Sequence, residues 1–159
     1  ARKQMAGFPL YERSSAAARK RLYSATMTEK TYDRLLTTAA AQVAKGHSVI
    51  LDATFARPAH RRLLAKRLGG RGLAWRVLEA HASDATVKRR LRVRETRTDE
   101  VSDARLEDFA ALTRLYEPPG ELPADRLVRV NTTGPLAETV TRALQNLARL
   151  QVASPCPSP

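Results

Sequence analysis

The stretch SVILDATF, residues 48–55, constrains the fold of this chain more than any other. Val49, Ile50 and Leu51 make a short apolar run that stops on one carboxylate, Asp52. A helical pattern ending in Lys45-Gly46 precedes it, and another opening at Pro58 follows it. A brief continuous apolar run between two helices is how a strand buried on both faces of a parallel sheet reads. Ligands of such sheets bind beyond the carboxyl ends of the strands. Asp52 is therefore expected where chemistry is usually placed. An acid there can hold Mg²⁺, directly or through water, or orient a substrate hydroxyl. It can equally cap the next turn.

The rest of the chain alternates in the same way. Residues 1–23 are basic and irregular, with an Ala/Arg-rich stretch at 16–22. Ser24 caps a predicted helix in which Met27, Thr31, Leu35, Ala39 and Val43 recur at helical spacing, and Gly46 ends it. Pro58 opens the next helix, which stops at Gly69-Gly70. A strand is predicted at 73–80. Ser83 caps a helix from Asp84 to about Glu95, and a polar loop follows at 96–101. Ser102 caps a helix from Asp103 to Tyr116, which the run EPPGELP terminates. The last strand is predicted at 127–131, and the last helix runs from Pro135 to about Leu150. Strands alternating with helices predict an α/β fold with a short parallel sheet, its strands near 48–52, 73–80 and 127–131. One domain is expected over residues 1–150, with a disordered tail at 151–159.

Bulk properties narrow the function. The 159 residues are 43% apolar and 5% aromatic, enough for a real core. No run of about 18 apolar residues occurs, so no membrane span is expected. The opening residues lack the apolar stretch of a secretory leader. The one cysteine, Cys156, sits in a Pro-rich tail and cannot form an internal disulfide. A reducing cytoplasm is the expected home. The net charge of +12 favours polyanionic partners, namely nucleotides, phosphorylated substrates or nucleic acid. His47, His60 and His81 are scattered and give no zinc spacing.

The ordered series RKQMAGFP, YSATMTEKTYDRLL, SVILDATF with RPAHR, the Arg-rich helix, YEPPGELPADR and VNTTGPL resembles the P-loop kinase-like AAA-family ATPases over residues 2–147. These proteins are relatives of polynucleotide kinases, gluconate kinases and zeta toxins. The resemblance implies a P-loop NTPase three-layer α/β/α fold, ATP and Mg²⁺ as cofactors, and a hydroxyl acceptor of small-molecule or nucleic-acid type. The family's Walker A loop, G-x-x-x-x-G-K-[ST], occurs nowhere in the 159 residues. Its amides, lysine and hydroxyl normally cradle the phosphates and Mg²⁺. The family's sheet order is 2-3-1-4-5, and the strands read here correspond to its third, fourth and fifth. The resemblance therefore implies an incomplete fold lacking roughly its first third, with the central strand missing. A rearranged or marginal sheet is expected, or an upstream segment or domain that fills the gap.

The resemblance also assigns residues. Arg2-Lys3 matches the end of a D-x-x-R-K motif, and Arg2 would grip the acceptor. Asp52 would stand beside Mg²⁺ and substrate, as a catalytic and metal-binding acid. Thr54 and Arg57 follow it on the substrate side. Arg90 and Arg94 lie four apart on one helix face. They match a lid in which two arginines close over the triphosphate and stabilise charge on the transferred phosphoryl group. Arg97 would join them, and Asn131 would help wall the adenine pocket. Three functions compete: an ATP-dependent phosphotransferase impaired by the missing loop, a non-catalytic remnant or regulatory module, and a basic nucleic-acid-binding protein.

Overall fold

Among the described residues two strands form, not three. The computed structural model describes residues 2–97 and 99–153, with side chains as far as Leu150. Strand β1 spans Val77–His81 and β2 spans Leu127–Asn131. They pair in parallel, from Val77 against Leu127 to His81 against Asn131. Strand β2 lies where the sequence places it. Strand β1 begins four residues after the predicted start at 73. The Trp75 carbonyl accepts from the guanidinium of Arg76 at 2.9 Å and from that of Arg126 at 3.2 Å. Arg126 also lies over the Trp75 ring, 5.3 Å from its centroid. These side-chain partners occupy the carbonyl before the ladder starts.

The predicted strand at 48–52 is not formed. Residues 48–52 make no hydrogen bond to other described residues, and Ile50 is 95% exposed. The sheet order that the resemblance implies, 2-3-1-4-5, is consistent with this. The third strand would lie between the second and the first, which have no counterpart here, whereas the fourth and fifth remain neighbours and pair. A strand without partners gains no ladder, and its apolar run stays in water. Replacing Ile50 by Asp is therefore expected to change stability by less than about 0.5 kcal/mol. Urea denaturation checks this, and a loss of several times that size would mean that Ile50 is buried.

Around the short sheet the chain is helical. Helix α1 covers Arg2–Met5, α2 Ala16–Leu22, α3 Ala25–Val43 and α4 Pro58–Leu64. The last continues as a π turn, Ala65–Gly69. The Ser15 and Ser24 hydroxyls cap α2 and α3 through the amides of Ala18 and Met27. The expectation of irregular chain over 1–23 is thus corrected, since two short helices form there. A core of Leu36 and Ala40 from α3 and Leu64 and Leu68 from the α4 stem is flanked by Leu51, Phe55, Leu63, Leu73 and Trp75. Segment 48–55 is therefore anchored at Leu51 and Phe55 while its middle stays open.

The crossover from β1 to β2 carries α5, Asp84–Glu95, capped by Ser83 as expected, and α6, Phe109–Leu115. Helix α6 starts six residues later than predicted. Asp103 is drawn away into a buried polar network, and the backbone instead makes a 3₁₀ turn at Leu106–Asp108. Helix α7, Leu136–Ala153, packs on β2. Leu136, Val140 and Leu144 line one side of it at 79, 47 and 61% exposure. The tail predicted at 151–159 is corrected at its start, since α7 runs on to Ala153; its remainder, with Cys156, lies outside the described residues.

Candidate functional site

The loop after residue 51 is fixed by helices rather than by the sheet. Asp52 is exposed and makes no ion pair with a described residue. Three residues on, Phe55 has φ +41°, the one positive φ among the described non-glycine residues. The buried Tyr32 of α3 accepts from the Phe55 N–H at 3.0 Å, and its hydroxyl lies 3.3 Å from Thr54 Oγ1. Arg61 of α4, 1% exposed, donates to the Phe55 carbonyl at 2.7 Å. Its other nitrogens bind Glu121 at 2.5 and 3.0 Å. The Glu117 N–H donates to the Ala56 carbonyl at 2.9 Å.

The residues assigned to the acceptor gather near this loop. Arg57 stands at the N-terminus of α4, exposed. Arg2 lies over the Tyr23 ring, 4.6 Å from its centroid. His60 stacks on Tyr32 with centroids 4.1 Å apart, and its Nδ1 is buried without a hydrogen-bond partner. Burial, then the charges of Arg57, Arg2 and Arg61, push the His60 imidazole below the usual histidine range. The charges of Arg2 and Arg57 thus both reach His60, while no hydrogen bond or ion pair joins Arg2 to Thr54 or Arg57 among the described residues. Tyr32, His60 and Arg61 fall within the segments YSATMTEKTYDRLL and RPAHR that carry the resemblance, but the sequence alone gives none of them a site role.

The second group lies at the carboxyl end of the sheet. Arg90 of α5 donates to Thr132 Oγ1 at 3.0 Å and to the Thr132 carbonyl. Thr132 itself donates to the His81 carbonyl through its N–H, at 2.7 Å. Asn131 Oδ1 accepts from the Thr133 N–H at 2.9 Å, so its side chain shapes its own turn. Arg94 pairs with Glu100 at 3.1 Å and Arg97 with Asp99 at 2.7 Å. Arg90 and Asn131 are brought to one turn. No hydrogen bond or ion pair joins Asp52 to Arg90, Arg94 or Arg97 among the described residues.

The N-terminal segment braces this helix. Lys3 Nζ donates to the carbonyls of Leu10 and Glu12 at 3.1 and 2.8 Å and pairs with Asp103 at 3.1 Å. Asp103 also accepts from the Ser14 N–H at 3.1 Å and the Ser14 hydroxyl at 2.9 Å. Arg13 caps the end of α5 through the Glu95 carbonyl at 2.7 Å. Arg19 pairs with Asp108 at 2.5 Å. The Asp103 network is a second feature the sequence conceals, since Ser102-Asp103 reads equally well as a helix start.

The described residues do not by themselves fit a resident metal ion. Mg²⁺ needs octahedral oxygen ligands and is usually held by one or two carboxylates with substrate phosphates. No group of three His, Cys, Asp or Glu side chains converges among them, and Asp52 stands alone. Nor do the glycines at 69–72 cradle phosphate. A Cβ on Gly70 would come 2.7 Å from the Lys66 carbonyl oxygen, so that glycine serves the close of the π turn.

A parallel strand pair whose crossover helix brings an arginine to its carboxyl end suits a P-loop kinase-like nucleotide-binding fold. The profile of the AAA domain family matches residues 1–119, and the chain belongs to that family in its P-loop kinase-like form. Among solved structures the chain is similar to a gluconokinase from Sinorhizobium meliloti 1021. The TM-score is 0.58 and the identity 22%, over 96% of this chain and 71% of that one. At that identity the likeness speaks for the fold alone. The curated proteins contain no match. No helix among the described residues is long and apolar enough to cross a membrane.

Proposed function

We propose that these residues are the acceptor-and-lid portion of an ATP-dependent phosphotransferase that moves a γ-phosphoryl group to a hydroxyl acceptor. The observation that carries this reading is Arg90. It lies over the 131–133 turn at the carboxyl end of β2, where ligands of a parallel sheet bind. Arg94, one helical turn on, would close over the phosphates once released from Glu100, and Arg97 once released from Asp99. Their role is to stabilise charge on the transferred group. Asn131 would wall the base, mainly through backbone. Asp52 would position the acceptor hydroxyl or the nucleotide's Mg²⁺, with Thr54, Arg57 and Arg2 gripping the acceptor. ATP and Mg²⁺ are the cofactors such kinases use. The triphosphate cradle must come from residues outside these 159. An upstream segment is the partner we propose, and the unpaired run 48–52 would receive its strand.

Isothermal titration with Mg-ATP tests the proposal. The 159 residues alone are expected to bind no tighter than about 1 mM. A chain extended by its own upstream residues is expected to bind in the micromolar range, and Arg90→Ala in it to weaken binding or turnover about 100-fold. Extended protein that ignores Mg-ATP would overturn the proposal. Micromolar binding by the 159 residues would overturn the impairment. The absent cradle also favours a second reading, a non-catalytic binding module kept in the cytoplasm. A nucleic-acid-binding role is weaker, because the chain is only 5% aromatic and carries no known nucleic-acid-binding motif.

A further inference from the structure

Segment 48–52 has no strand beside it, yet the loop that follows is held in one strained conformation. A phenylalanine at φ +41° costs free energy that only the surroundings can offset. Here both polar backbone groups of that residue are taken by buried side chains. The N–H goes to Tyr32 Oη at 3.0 Å and the carbonyl to Arg61 Nη1 at 2.7 Å. The two side chains come from different helices, α3 and α4. Tyr32 is 4% exposed and Arg61 1% exposed, so neither can swing away without unpacking the core. The Tyr32 ring also packs on the Phe55 ring at 5.1 Å between centroids, and on His60.

We infer that Tyr32 and Arg61 are positioning residues: a two-point clamp on Phe55 that sets the place of Asp52 and Thr54 in the absence of any sheet support. The inference rests on the proposed function only in giving Asp52 and Thr54 an acceptor to face. The clamp has a further reach. Arg61 is gripped by Glu121 and lies 3.4 Å from the Pro118 carbonyl, and Ala56 accepts from the Glu117 N–H. The turn after α6 is thereby tied to the acceptor loop. Movement of the crossover between α5 and β2 would be felt at Asp52 through Arg61, without a hydrogen bond or ion pair between Asp52 and the arginines of α5.

Tyr32→Phe isolates the hydroxyl, since the ring and both aromatic contacts stay. The measurement is amide exchange and the ¹H–¹⁵N spectrum of the 159-residue protein. Exchange at Phe55 is expected to quicken about tenfold, from loss of a buried hydrogen bond that also restrains a strained residue. The Phe55 amide proton should move upfield, and amides of β2 and α7 should keep their wild-type rates. Phe55→Gly gives the second arm, because glycine occupies φ +41° without strain. In that background Tyr32→Phe should speed exchange at residue 55 by less than about threefold. An unchanged Phe55 amide, or faster exchange spread evenly over the chain, would overturn the clamp. The proposed function is judged separately. If the clamp behaves as expected but Thr54 and Asp52 resonances ignore nucleotide and acceptor in the extended protein, the clamp stands and the acceptor role falls.

Discussion

Replacing Glu121 by Ala is expected to lower stability by about 3 kcal/mol. The reason is what it leaves behind. The Arg61 guanidinium keeps two carbonyl acceptors but loses its carboxylate, at a site 1% exposed. Removing one partner of a buried pair leaves an uncompensated charge, which costs far more than the intact pair contributes. The Glu121 side chain is 23% exposed, so water relieves part of the cost when the change is made from the Arg61 side instead. Arg61→Met removes the buried charge but also frees the Phe55 and Pro118 carbonyls, so the two replacements are expected to cost similar amounts. At about 2–4 °C per kcal/mol for a chain of this size, the melting midpoint should fall by roughly 6–12 °C. Thermal unfolding followed by circular dichroism reads it directly. A shift within about 2 °C would mean that Arg61 is solvated.

The Lys3–Asp103 pair sets the other large effect. Its side chains are 7 and 3% exposed, and the Lys3 ammonium also donates to the carbonyls of Leu10 and Glu12. Lys3→Met should cost about 3–5 kcal/mol, whereas Lys3→Met with Asp103→Leu should recover most of that loss. Urea midpoints of the two single variants and the double variant test the cycle. The same node gives a pH dependence of known sign. Burial pushes the Asp103 carboxyl up, but the Ser14 amide and hydroxyl and the Lys3 ammonium outweigh it and hold the group below the ordinary aspartate value. Arg61 likewise holds Glu121 below the ordinary glutamate value. Folded values that lie below the unfolded ones stabilise the protein above about pH 4. That contribution fades as the pH falls through the folded values. The melting midpoint should decline modestly from pH 7 to about pH 5, because unfolded His60 takes up a proton that the folded imidazole resists, and then drop further as the carboxylates protonate, less steeply in the double variant.

How much of this was legible in the residues depends on the range of the forces involved. Local signals read true. Ser24 and Ser83 cap helices where they stand, Gly46 takes φ +83° past the end of α3, and LVRVN is a strand over its whole predicted span. Partnership was not legible from pattern. Val49, Ile50 and Leu51 have the composition of a buried strand, but a strand exists only if another lies beside it. The sheet order implied by the resemblance, not the apolar run, is consistent with β1 and β2 pairing while 48–52 does not. The helix at 103 failed for a related reason. Ser102 and Asp103 suit an N-terminus, and a buried lysine 100 positions away in sequence claims the carboxylate instead. In the site, Arg90 and Asn131 meet at one turn, while Arg94 and Arg97 face carboxylates of the polar loop. Arg61 was hidden because burial, which distinguishes it from Arg62, is a tertiary property.

Ile50 at 95% exposure, flanked by unbonded peptide groups, has a practical corollary for handling these 159 residues. A bare apolar edge is a template for another edge, and native proteins usually blunt such edges with charge, proline or a covering element. Here no charged residue interrupts 48–51, and the exposed leucines of α7 add a second adhesive surface. The overall charge of +12 keeps molecules apart at low ionic strength, and that protection shortens with the Debye length as salt is added. Clumping should therefore set in with rising salt, the reverse of what a well-covered protein of the same charge would do.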